Sequence, residues 1–292
     1  MTLIDMHSHW GTQRGYVLRT PQELAQQKKT WNSETQYETE AQMVAYFRAA
    51  NARVILDLGF TKFAPLHEVI PLHDYSFEMQ RQHPDAILGN WFHLDPALHG
   101  VEGLKELRRC IDSNAGFVGL AVNGSGSVPA SDPLYDPYYK LCIEANIPAL
   151  IFVGTTGLGA GLPGGNGILL DSCHPRHLDW VAAKNPQLKI VAARPGWPWQ
   201  AETIAVLMHK RNIWYELHGW SPKYFTPDLK HDIARRLQDR IMFGGDYPLY
   251  KYERLTTEWK AEGYSDAVLE NCLLYTSPSP RDRTRSRMPS SA

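Results

Sequence analysis

The sequence is sparing with cysteine: four, at positions 110, 142, 173 and 272, with no C-x-x-C spacing. An oxidising compartment is therefore not indicated, and a cytoplasmic location is the expectation. No apolar run approaches the roughly eighteen residues that a membrane span needs. The opening residues, Met1-Thr2-Leu3-Ile4-Asp5, lack the basic end and apolar stretch of a secretory leader. Neither charge is in excess, with 30 basic and 31 acidic residues and a net charge of −1. That balance gives no electrostatic footprint for nucleic acid or anionic lipid. What remains is ordinary globular material: 43% hydrophobic, 21% charged and 11% aromatic, too aromatic for a disordered chain. A length of 292 residues fits one large domain or two small ones.

The composition changes at Cys272. From there to Ala292 apolar periodicity is missing, and Arg281, Arg283, Arg285 and Arg287 alternate with small or polar residues. A disordered basic tail is the plain reading. The stretch also resembles the peptide obtained by translating a transposon-type sequencing adapter with the primer site behind it. Residues 272–292 are therefore set apart as a non-native tail, and residues 1–271 are read as the folded unit.

Within that unit, apolar runs flanked by breakers recur regularly. Strands are expected at Leu3–His7, Arg53–Leu58, Ala86–His93, Phe117–Val122, Ala149–Val153, Lys189–Ala193, Ile213–Leu217 and Arg240–Phe243. Most are consecutively apolar, as strands buried on both faces are. Ser33-Glu34-Thr35-Gln36 has the form of a capping box opening a helix towards Ala50. Further helices are expected at Pro71–His83, Val101–Asp112, Asp136–Asn146, Pro175–Asn185, Trp199–Lys210, Pro227–Gln238 and Tyr252–Glu262. Eight β–α alternations without a linker or solenoid repeat predict an α/β protein, a single (β/α)8 TIM barrel. A doubly wound open sheet is the alternative.

In such a barrel, chemistry gathers at the C-terminal ends of the strands. The rule selects His7, His9, Asp57, His93, Asn123, Phe152, Arg194, Glu216, His218 and Asp246. Residues two apart on an extended segment share a side, so His7 and His9 can present two imidazoles to one point. Convergent nitrogens suit a divalent metal, although an H-x-H also arises by chance among twelve histidines. Asp246 follows the eighth strand, which neighbours the first once the barrel closes. It could join the two imidazoles and move a proton, or simply cap the turn into Tyr247-Pro248.

Ile4-Asp5-Met6-His7-Ser8-His9, Gly196-Trp197-Pro198-Trp199, Gly219-Trp220-Ser221-Pro222-Lys223-Tyr224 and Phe243-Gly244-Gly245-Asp246-Tyr247-Pro248 resemble the amidohydrolase-related branch of the amidohydrolase superfamily. That branch includes the aminocarboxymuconate-semialdehyde decarboxylase-like proteins. The resemblance implies a metal-dependent barrel carrying one divalent ion, Zn2+ or Mn2+. It also implies nonoxidative decarboxylation of aromatic or unsaturated acids, or hydrolysis or hydration of small carboxylates and lactones. His7, His9 and Asp246 match the family's metal positions. Two departures stand out. Phe152 and Arg194 occupy places where the family usually has histidine. Phenylalanine cannot ligate, and arginine is a permanent cation.

Three readings follow. His7, His9 and Asp246 still hold a metal, with His218 replacing the missing ligand; or the metal is gone and Arg194 supplies the positive charge; or the protein binds a small acid without catalysis. In each, Arg194 favours a carboxylate ligand, unless Glu216 or Asp246 neutralises it. Trp10, Phe152 and Trp197 are expected with Arg194 around the substrate, and Trp91, Trp199 and Trp220 also lie near strand ends. Gly159-Ala160-Gly161-Leu162-Pro163-Gly164 is formally G-x-G-x-x-G, but Pro163 and further glycines follow where a helix should begin. A loop over the barrel mouth is expected there instead of a dinucleotide site. Decarboxylation is the favoured activity, with Asp246, Arg194 and His218 as catalytic residues and lactone or ester hydrolysis as the alternative. The expected partner is a small carboxylate substrate; a homodimer is compatible with this reading.

Overall fold

The computed structural model describes residues 2–16, 25, 26, 28–30 and 37–273. Eight parallel strands run in sequence order: β1 Leu3–His9, β2 Ala52–Asp57, β3 Ile87–His93, β4 Phe117–Val122, β5 Ala149–Phe152, β6 Ile190–Ala193, β7 Ile213–Glu216 and β8 Ile241–Met242. The helices between them are α1 Glu40–Ala49, α2 Leu66–Gln82, α3 Pro96–Asp112, α4 Asp136–Glu144, α5 Pro175–Lys184, α6 Gln200–His209, α7 Pro227–Ile233 and α8 Tyr252–Ala261, followed by α9 Asp266–Leu273. This is the single (β/α)8 TIM barrel that the alternation predicts. No helix among the described residues is long and apolar enough to cross a membrane.

Two apolar layers account for the consecutive hydrophobic runs. Met6, Ile55, Trp91, Leu150, Val191 and Met242 belong to a cluster drawn mainly from the strands, which fills the barrel. Ala149 and Ile151, the alternate residues of β5, belong to the larger cluster shared with the helices. A strand buried on both faces must be apolar at every position.

The seam between β1 and the segment leaving β8 closes through backbone bonds. Met6 N donates to Phe243 O, Asp246 N to His7 O and His9 N to Tyr247 O, at 2.9, 3.0 and 2.7 Å. The carboxylate of Asp5 locks the seam. Its Oδ1 accepts from the backbone N–H of His7 and of Gly245, each at 2.9 Å. Its Oδ2 accepts from Ser8 Oγ at 2.5 Å and Tyr252 OH at 2.7 Å.

Some boundaries differ from expectation. The described N-cap of α1 is Thr39, whose side chain and that of Gln42 form a reciprocal capping box. Ser33–Gln36 lie outside the described residues. Helix α2 begins at Leu66, with Pro71 inside it. Pro71 and His67 are both exposed, so the carbonyl that loses its helical donor meets solvent. Gly100, at φ 51°, ψ −138°, breaks the first turn of α3 from the expected stretch beginning at Val101. Helix α9 runs through the expected boundary at 271, with Cys272 and Leu273 packed in the core. Residues 274–292 lie outside the described residues.

Replacing Asp5 by alanine would leave four donors at the seam without their acceptor. A loss of about 3–5 kcal/mol of unfolding free energy is expected, measured by urea denaturation.

Candidate active site

The site forms where β1, β2, β3, β7 and the segment after β8 end. The pairing of β1 with β2 shifts between Asp5 and Ser8, and His7 sits in this irregular stretch. The imidazoles of His7 and His9 lie 5.3 Å apart, centroid to centroid. His218, two residues beyond β7, stacks on His7 at 3.7 Å. Phe152 meets the rings of His7 and His218 edge-on, at 5.6 and 5.7 Å.

Three buried carboxylates face these rings. Asp57, at the end of β2, has Oδ2 3.0 Å from His7 Nε2 and Oδ1 3.7 Å from His9 Nδ1, while His93 Nε2 lies 2.9 Å from both its oxygens. Glu216, at the end of β7, has Oε2 2.6 Å from His218 Nδ1 and 3.4 Å from His7 Nδ1. Asp246 Oδ1 lies 3.2 Å from His9 Nε2. Both nitrogens of His7 are buried and approach carboxylates without the alignment of a hydrogen bond. Gly244 is required beneath Glu216, because a Cβ there would run into the Glu216 Oε1 atom.

Burial and mutual charge set the protonation states. Burial raises the carboxyl of Asp57, but the charges of His93 and His7 and the hydrogen bond with His93 overcome it and hold Asp57 well below the usual range. Burial also opposes ionisation of Asp246; contact with His9 and the neighbouring imidazoles prevail and bring it to about 2. For Glu216 burial wins, and the carboxyl rises to about 7. Burial pulls His218 down to about 3. Burial would lower His9 too, yet Asp246 and Asp57 raise it.

Arg194 follows β6 with a left-handed φ of 74°, and Asp246 follows β8 with φ 51°. Strained backbone at two strand ends re-aims two charged side chains. The Arg194 guanidinium lies 4.8 Å from the centre of the Phe152 ring, and Nη1 donates to Thr155 O at 3.2 Å. Among the described residues no carboxylate, neither Glu216 nor Asp246, pairs with Arg194 at ion-pair distance.

His7, His9, Asp246, Arg194, Phe152 and His218 thus converge as expected from strand-end placement. Trp10 does not join them. It is fully buried, donates its indole N–H to Asn90 and packs against Tyr75, because it points from the end of β1 towards the helical layer. Trp91 is likewise core, bonded to Met6 O. Trp197 is 49% exposed and lies 6.1 Å from Trp220, forming part of the rim beyond β6 and β7. After β5, Pro163–Gly167 is a single turn with Gly164, Gly165 and Asn166 in left-handed conformations, so no helix begins at the glycine-rich loop. The strand-end rule names Asp57, but its place as the shared partner of three histidines has no signature in spacing.

Donor atoms cluster compactly in three groups among the described residues: His7–His9–Asp57, His7–Glu216–His218 and His73–Glu106–Cys110. The third lies between α2 and α3, where Arg109 holds both oxygens of Glu106, as in a structural ion-pair network. A groove of about 550 Å3 between α6 and α7 lies on the outer helical layer, away from the strand ends.

The amidohydrolase family model matches residues 4–276. The chain belongs to the amidohydrolase family. No curated protein matches it. Among solved structures it is similar to an uncharacterized TIM-barrel protein from Bordetella bronchiseptica, at 18% identity over 94% of this chain and 96% of the other, with a TM-score of 0.72. It is also similar to a 2,6-dihydroxybenzoate decarboxylase complexed with 2,6-dihydroxybenzoate, at 15% identity over 94% and 97%, with a TM-score of 0.67. A dihydroxybenzoic acid decarboxylase from Polaromonas sp. JS666, with bound manganese and the inhibitor 2-nitroresorcinol, matches at 15% identity over 92% and 93%, with a TM-score of 0.66. At these identities the structures establish a shared barrel fold. Family membership makes this an enzyme of the amidohydrolase type.

Glu216 gives a test in metal-free protein. Its carboxyl lies above the ordinary 4.5 in the folded state, so the folded chain holds that proton more tightly than the unfolded one. Its contribution is full below pH 4.5 and is lost as pH rises through about 7. Relative to Glu216→Gln, the wild type should lose up to about 3 kcal/mol between those limits, read by urea denaturation across pH.

Proposed function

We propose that this protein is a metal-assisted decarboxylase of a small aromatic or unsaturated carboxylic acid. The observation that carries this reading is the adjacency of two unlike groups at one barrel mouth. His7 and His9 face buried carboxylates, and the Arg194 guanidinium beside them lacks a carboxylate partner among the described residues. The first group is a donor set for a cation; the second is a receptor for an anion.

The residues fit a divalent ion. Two imidazoles, borderline donors, and a carboxylate, a hard one, together suit Zn2+ or Mn2+, and the orphaned nitrogens of His7 leave a buried need for positive charge. His7 and His9 would hold it, with Asp246 beside His9. A bound ion would supply Lewis-acid polarisation of a substrate oxygen. Phe152 contributes no ligand and instead supports the guanidinium of Arg194.

Arg194 binds the substrate carboxylate and sets its direction. Asp246 rests ionised, so it first accepts a proton from the hydroxyl of the incoming acid, whose oxygen keeps the negative charge. It returns that proton to the ring or alkene carbon. The bond to the carboxylate carbon then breaks, its electron pair stays with the substrate carbon, and carbon dioxide leaves. His218, held by Glu216, presents its other nitrogen at the site. Trp197 and Trp220 offer flat apolar surface at the rim.

An ionised Asp246 is equally a base for water, which favours lactone or ester hydrolysis as the second reading. Incubating metal-loaded enzyme with hydroxybenzoic acids and with lactones separates the two: carbon dioxide release is expected, and acid release from lactones alone would replace the first reading with the second. Saturable binding without turnover would overturn both.

Two variants test the parts. His7→Ala/His9→Ala should lose stoichiometric metal, read by elemental analysis. Arg194→Gln should lower kcat/KM by about 10–100-fold, mainly through KM, because it removes a charge-assisted contact to the carboxylate.

A further inference from the structure

We propose that Asn123, just past the end of β4, is a second donor to the substrate carboxylate, so that the acid is held between the charged fork of Arg194 and a neutral amide. The proposal rests on the reading of Arg194 above and names the group that shares its ligand.

The end of β4 aims Asn123 into the barrel mouth. Ala121 belongs to the cluster that fills the barrel, and Val122 to the one shared with the helices. Alternation carried one residue past the strand turns Asn123 inward, to the side of Ala121. The residue is only 7% exposed. Its neighbours set the orientation of its amide. Oδ1 accepts from the backbone N–H of Ser125 at 3.1 Å and from the thiol of Cys173 at 3.7 Å. A backbone N–H can only donate, so the atom it meets is the oxygen and the other is the NH2 group. Both lone pairs of Oδ1 are thereby used, whereas Nδ2 donates to no group among the described residues. A buried amide with its donor end unused at a barrel mouth is short of an acceptor.

The same contacts tie Asn123 to Arg194. Cys173 shares the barrel-filling cluster with Phe152 and Ala193 and is an electrostatic neighbour of the Arg194 guanidinium. Its carbonyl accepts from Gly154 N at 2.8 Å. Thr155, whose carbonyl receives Arg194 Nη1, donates its own N–H to Trp197 O at 2.7 Å. Lys62 Nζ donates to Asn123 O at 2.7 Å and also to Ser125 O. The ends of β4, β5 and β6 are thus held at a fixed spacing. This wall offers donors, whereas the carboxylates Asp57, Glu216 and Asp246 face the imidazoles of His7, His218 and His9. The substrate hydroxyl that yields its proton to Asp246 points to the carboxylate wall, which leaves the acid group for Arg194 and Asn123. A carboxylate has about four lone-pair sites, enough for both donors.

The experiment is isothermal titration of the full chain with benzoate and with salicylate, for wild type, Arg194→Gln, Asn123→Ala and Asn123→Asp. The aspartate variant keeps an acceptor for Ser125 and Cys173 but puts a negative oxygen where the NH2 group was. Both probes should bind wild type, and at least about tenfold more weakly to Arg194→Gln. Asn123→Ala should weaken both by about 3–10-fold, and Asn123→Asp by more. A residue that only braced the loop would give the reverse order, tolerating aspartate and suffering from alanine. Wild-type affinity in Asn123→Asp therefore overturns the proposal and leaves Arg194 as the anion receptor. Weakening confined to salicylate assigns the donor to the hydroxyl and overturns the carboxylate contact. A wild type that binds neither probe, or an Arg194→Gln that binds both unchanged, overturns both readings. If Asn123→Asp does not fold by circular dichroism, Asn123→Ser carries the test: its shorter side chain should weaken both probes, and unchanged affinity overturns the proposal.

Discussion

The four-way hydrogen bonding of Asp5 is the constraint on which the site depends. One carboxylate gathers two backbone amides, a serine hydroxyl and a tyrosine hydroxyl from β1, the segment after β8, and α8. The first and last strands of a barrel are joined by no short connection, so their register must be set by side chains as well as by the ladder. Asp5 sets it two residues before His7, and Gly245 adjoins Asp246. Burial pushes the carboxyl of Asp5 up, and its four donors pull it part of the way back. The same contacts that close the barrel therefore bring the imidazole pair to the acid.

Around that seam the charges form a balanced set. Asp57, Glu216 and Asp246 are each buried beside at least one imidazole. Their states diverge because their surroundings differ. Asp246 and Asp57 are driven towards ionisation by histidine contacts, and Glu216 towards neutrality by burial. Divergent carboxylates in one cleft are what acid–base chemistry requires. Arg194, half-buried beside them, adds a positive charge to the cleft.

Much of the fold was legible in the sequence. The strands were readable because barrel staves face apolar layers on both sides, as β5 does at all four positions. Phe152 and Arg194 could be found because the strand-end rule depends only on where an apolar run stops. Distances across the barrel were not legible. Spacing shows which way a side chain faces along one strand, but it does not show that the carboxylate of Asp57 lies among three imidazoles from two other strands. Trp10 illustrates the same gap, since its neighbours Asn90 and Tyr75 come from distant stretches of chain. The start of α2 was misread because Pro71 can occupy the outer face of a helix where a lost bond meets water.

The left-handed backbone at Arg194 and Asp246 sets durability against charge at the barrel mouth. Both positions hold a conformation that glycine adopts freely and that side-chain-bearing residues resist. A glycine at either place would relax the chain and delete the charge at once. Natural drift towards a sturdier barrel would thus strip charge from its mouth, and retaining both charged residues keeps the protein slightly less robust than its architecture allows.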